Sequence, residues 1–140
     1  MFRMPVIVFG CALALLCTAT MVVAQEKKMS RVYELRTYTT HPGRLNALNT
    51  RFRDHTLKLF EKHGMKNEMY WIPTDPVRRE NTLIYIVSHD SEEAAKKSWE
   101  AFRTDPDWIK ARDASEADGK IVLKVEAVFM SLADFSPPAK

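Results

Sequence analysis

Apolar and polar positions alternate from Arg31 to Tyr38. Tyr33, Leu35 and Thr37 fall on one side, and Val32, Glu34, Arg36 and Tyr38 on the other. This predicts a strand with one greasy and one mixed face, with a helix packed on the greasy one. His41-Pro-Gly43 breaks it. The period then changes. Leu45, Leu48, Phe52 and Leu59 recur at steps of three, four and seven, which predicts a helix from near Gly43 to a stop at Gly64. His55 falls within that inward stripe. Arg51, Arg53, Asp54, Lys58 and Lys62 fall mostly outside it, in water.

Met65 to Ile72 reads as a second strand, followed by the charged, proline-bearing connection Pro73 to Asn81. Thr82 to Val87 is nearly all apolar, the mark of a central strand buried on both faces. Asp90, with Glu93 three residues on, forms a capping box for a second helix whose inner stripe is Ala95, Trp99 and Phe102. Asp105 as N-cap and Pro106 at N1 restart it. Ile121 to Leu132 is the last strand, with Ile121, Leu123, Val125, Ala127 and Phe129 on one face and Val122, Lys124, Glu126, Val128 and Met130 on the other.

The order is therefore βαββαβ, an α+β, ferredoxin-like arrangement of a four-stranded antiparallel sheet with two helices on one face. First and last strands become neighbours, which would bring Glu34 and Arg36 near Lys124 and Glu126. The apolar area left on that sheet face calls for cover, and a second copy packed face to face would supply it and enclose a cavity.

Composition narrows the classes. The chain of 140 residues is 46% hydrophobic and 28% charged, with a net charge of +3 spread along it. That is too weak and dispersed for nucleic acid. Arg3, the uncharged run Met4 to Ala24 and the small exit Val22-Val-Ala24 read as a signal peptide over residues 1–24, cleaved before Gln25. Residues 25–30 are a polar lead-in, 31–136 the domain and 137–140 a tail. The expected location is periplasmic or secreted. An uncleaved leader would anchor the chain to the membrane instead. Both cysteines, Cys11 and Cys17, lie in the leader, so the mature domain has no thiol chemistry.

Several blocks resemble the NIPSNAP family. They are Val32-Tyr-Glu-Leu-Arg-Thr-Tyr38, His41-Pro-Gly43, Phe52-Arg-Asp-His-Thr-Leu through His63-Gly64, Asn81 to Tyr85, Trp99-x-x-Phe-x-x-Asp-Pro-x-Trp108, Glu126 to Met130, and Asp134-Phe135. The resemblance spans roughly Arg31 to Ser136. It implies a dimeric α+β barrel, and a family without a settled activity. The wider superfamily of such barrels includes cofactor-free monooxygenases, haem-binding peroxidases and small isomerases, with a ligand held between sheet and helices. This is an analogy of fold.

His55 and Arg36 are the candidate catalytic pair. An imidazole in a pocket can move a proton near neutral pH, and a guanidinium can hold an enolate. Each has a plain structural alternative: a hydrogen-bonded core histidine, and an ion pair of Arg36 with Glu34 or Glu126. Arg36, Tyr38, His55, Trp71 and Tyr85 form the candidate ligand-binding set, although most aromatics at such spacing are simply core. Of the four histidines none are paired at i, i+4, and no phosphate loop or nucleophile elbow appears, so no metal or cofactor is expected. The leading reading is an exported homodimer binding a small, mostly apolar ligand. The alternatives are a cofactor-independent oxygenase or isomerase, and a scaffold dimer with a filled barrel.

Overall fold

The computed structural model describes residues 31–137. The leader, the lead-in and the end of the tail lie outside them. The sheet has four antiparallel strands, β1 (Val32–Thr40), β2 (Lys66–Trp71), β3 (Thr82–His89) and β4 (Val122–Met130), in the order β2-β3-β1-β4. First and last strands pair, as the predicted topology requires. The helices are α1 (Leu45–Arg51), continued without a break through a π turn (Phe52–Thr56) into α2 (Leu57–Lys62), then α3 (Glu92–Thr104) and α4 (Pro106–Ser115). The second predicted helix is thus two helices. Asp105 divides them, its carboxylate accepting from the Asp107 backbone N–H, with Pro106 in the first turn of α4. The cap of α3 is Ser91 rather than Asp90; its hydroxyl accepts from Ala94 N–H at 3.0 Å.

The core lies between sheet and helices. Leu48, Phe52, Leu59 and Phe60 meet Leu83, Tyr85 and Val87 of β3 and Ala95, Trp99 and Phe102 of α3. Aromatic rings meet mostly edge to face, as with Phe60 on Trp99 at 5.2 Å. Gly64, with φ of 76°, ends α2 in the left-handed conformation that spares a Cβ.

Two facing assignments are reversed. The mixed face of β1 turns inward: Glu34 and Thr40 are buried, and Tyr38 packs on Phe52 at 5.9 Å. Tyr33, Leu35 and Thr37 take the open face. In the β1–β4 register Glu34 lies opposite Phe129 and Arg36 opposite Ala127, while Glu126 lies opposite Thr37 and Lys124 opposite Thr39. The two charged sets therefore stand on opposite faces, and Lys124 pairs with Glu126 itself at 2.9 Å. The physical reason is that Glu34 and Arg36 are neutralised from within the fold, so counting apolar residues misjudges the inner face. β3 is buried on its helix side and half-buried at Ile84 and Ile86 on the open side. β4, at the sheet edge, is exposed along most of its length.

Candidate functional site

The π turn decides where the longest helix points its side chains. A turn of π-helix holds about one residue more than a turn of α-helix. The inward position expected at His55 therefore moves on by one, to Thr56. Thr56 is buried, and its hydroxyl donates to the Arg51 carbonyl five residues back at 3.2 Å. Leu57 N–H bonds the Phe52 carbonyl, also five back. His55 is thereby turned out of the core. It is exposed, in a shallow recess beside Thr50, Asp54, Ala111 and Ser115. This corrects its placement on the buried face, and the structure does not bring it to Arg36. Arg51, expected in water, is buried instead, 3.3 Å from Glu116 and over the Trp108 ring at 5.1 Å.

The buried chemistry collects around Glu34. One carboxylate oxygen accepts from Arg36 Nη1 at 2.5 Å. The other accepts from Trp99 Nε1 at 2.6 Å and lies 3.0 Å from His89 Nε2. Burial raises the pKa of this carboxyl, but the bonds from His89, Trp99 and Arg36 outweigh it and hold the group below its ordinary value. For Arg36 burial also opposes the charge. The Tyr38 and Tyr85 phenols and the Glu34 carboxylate outweigh it, and the pKa rises. The guanidinium lies over the Trp99 ring at 4.2 Å and near Tyr38 at 5.6 Å. Since carboxylate oxygens only accept, Nε2 of His89 carries the proton shared with Glu34. Its Nδ1 is buried without a hydrogen-bond partner among the described residues, as is the Tyr85 hydroxyl. Burial, then Tyr38, pushes the Tyr85 phenol pKa well up.

Three members of the expected ligand set, Arg36, Tyr38 and Tyr85, are therefore together, packed behind a cleft rather than lining it. The cleft opens between the π turn and the ends of β2 and β3. It holds about 270 Å³ and is lined by Asn49, Phe52, Arg53, Leu57, Tyr70, Trp71, Ile72 and Leu83. Trp71, the fourth member, is 43% exposed at this opening. Tyr70 stacks on Tyr85 at 5.2 Å and so links the cleft wall to the buried network. His89 is the residue the pattern does not single out. Its strand reads as ending at Val87, but the ladder with β1 runs on to pair His89 with Val32. The polar dipeptide Ser88-His89 hides that continuation.

A second hollow, about 730 Å³, lies on the open sheet face between Tyr33, Met69, Ile86, Met130 and the tail residues Leu132 and Phe135. Among the described residues no three His, Cys, Asp or Glu side chains converge as a metal site, and no helix is long and apolar enough to cross a membrane.

The fold is similar to that of a NIPSNAP family protein of unknown function from Agrobacterium tumefaciens. The TM-score is 0.65 at 21% identity, over 78% of this chain and 94% of that one. SnoaB, a cofactor-independent oxygenase from Streptomyces nogalater, is less similar. Its TM-score is 0.53 at 13% identity, over 78% and 99% of the two chains. A Streptomyces coelicolor monooxygenase solved with nanaomycin D gives 0.52 at 16% identity, over 79% and 95%. At such identities these likenesses speak for the fold. No curated protein matches the chain. The NIPSNAP family model, however, matches residues 33–137, from β1 through the tail. With nearly the whole described domain covered, the chain belongs to the NIPSNAP family.

Proposed function

We propose that this protein is an exported homodimer that binds a small, mostly apolar molecule in the cleft between the π turn and the sheet. The observation that carries the reading is the cleft itself. Six of its eight lining residues are apolar or aromatic, and the π turn that forms one wall is a feature often found at functional sites. Trp71 would cover the ligand, and the Tyr70–Tyr85 stack would hold the floor rigid against the Glu34 network. The ferredoxin-like sheets of two copies would pack through their open faces as a dimeric α+β barrel. The leader supports export. The mass of the mature protein tests that point, since cleavage removes residues 1–24.

Native mass spectrometry of the protein expressed with its own leader tests the binding reading. A dimer carrying a co-purified small molecule, lost on Leu57→Trp because the indole fills the cleft, is the expected result. A ligand retained unchanged by Leu57→Trp would place it elsewhere and end this reading.

A cofactor-independent oxygenase or isomerase is the second reading. It draws on the fold shared with two oxygenases. Neither His55 nor His89 lines the cleft, so neither is placed to move a proton on a ligand held there. Oxygen consumption with a bound ligand would favour it over simple binding.

A further inference from the structure

We propose that the cleft selects a planar aromatic carboxylate of one or two fused rings, with Arg53 as the residue that reads the charge. The inference rests on the cleft being the binding site and adds the chemistry of its ligand. Shape comes first. A volume of about 270 Å³ lies just under the roughly 300–1,000 Å³ that holds drug-sized ligands. Phe52, Tyr70 and Trp71 supply flat walls, which favour a flat, rigid guest.

Charge comes second. Among the described residues, every arginine other than Arg53 and Arg103 lies within 4.0 Å of a carboxylate. Arg53 does not, and it stands at the cleft. Asn49, one α-helical turn before it, lines the same opening and makes no side-chain hydrogen bond among the described residues. The one other polar side chain of the cleft is engaged, since the Tyr70 hydroxyl donates to Asn67 Oδ1 at 2.5 Å. No acidic side chain lines the cleft. The wall thus offers one uncommitted cation and one uncommitted amide above an aromatic floor. That set matches a carboxylate on an aromatic ring: the guanidinium fork takes the two oxygens, and the ring lies against Trp71.

Calorimetry with 2-naphthoate and its neutral counterpart 2-naphthamide, on the full chain as processed, tests this. Because Arg53 is exposed, an ion pair there is worth at most about 1 kcal/mol, so the carboxylate should bind about fivefold more tightly than the amide. Arg53→Gln should erase that preference. Leu57→Trp should weaken both. Equal affinity of the two probes, or a preference surviving Arg53→Gln, would overturn the charge assignment while the apolar cleft stands. Failure of both probes to bind would remove the cleft reading and this inference with it.

Discussion

Glu34 is the residue on which the buried chemistry depends. Its carboxylate is 2% exposed and serves a guanidinium, an indole and an imidazole at once. Replacing it by leucine strands the Arg36 charge against Trp99. Glu34→Leu should cost about 3 kcal/mol in urea unfolding, the usual loss when one half of a buried pair is removed. Adding Arg36→Leu should restore part of that loss, because no lone charge then remains. Trp99→Phe removes one bond to a charged acceptor and should cost about 2 kcal/mol. The acid limb follows from the same groups. Glu34 lies below its ordinary 4.5, lowered against burial by His89, Trp99 and Arg36, and Asp105 lies below its ordinary 3.8, lowered chiefly by Lys62 and His63. The unfolded chain takes up protons first as pH falls. Stability is therefore full above about pH 5 and drains through and below the ordinary carboxyl range, as an acid titration followed by circular dichroism would record. Part of this was legible in the chain, since Glu34 and Arg36 stand two apart on one strand face. The other half was not, because Trp99 and His89 approach from 65 and 55 residues away.

At the level of elements the π turn is the main departure. Steps of three, four and seven suit a straight helix, and Leu45, Leu48, Phe52 and Leu59 are buried as that pattern requires. The extra residue shows only in Thr56 replacing His55 inside, a swap that hydrophobic period cannot register because neither residue is apolar. Thr56→Val keeps the shape and drops the bond to the Arg51 carbonyl. It should lower stability by about 1 kcal/mol. Deleting Asp54, which is exposed, should let the turn relax to α geometry and leave the inward faces of α1 and α2 aligned. The far-UV spectrum should survive while ligand affinity at the cleft falls, because the wall that the π turn contributes is gone. Loss of the fold on deletion would show instead that the π turn is needed for packing. Capping and turn signals were more legible: Pro106, Asp105 and Gly64 each do what their chemistry suggests.

At the scale of the whole molecule the open sheet face sets the expectation. Met69 is 60% and Val128 55% exposed there, beside Leu35, Ile84 and Ile86. A second copy would cover them, and a charge placed on that face should repel it. Val128→Lys should shift the native mass spectrum from dimer to monomer without altering the circular dichroism of the domain. A monomeric wild-type protein would remove the face-to-face barrel. The four-stranded topology was readable from the order of periods alone. Which face met the helices was not, because that depends on partners distant in sequence.

The position of β1 has a kinetic consequence. It lies between β3 and β4, so its inner edge is paired by residue 89 but its outer edge waits for residues 122–130. A chain emerging from N to C terminus keeps that edge unsatisfied until residues 122–130 are out. The sheet then closes by a contact spanning about ninety positions, a slow step by the measure of contact order. Through that interval the strand carrying Glu34 and Arg36 is open to wrong pairing. A chain crossing a membrane before it folds would face that hazard on the far side, which makes the last strand the point at which a holding chaperone would matter most.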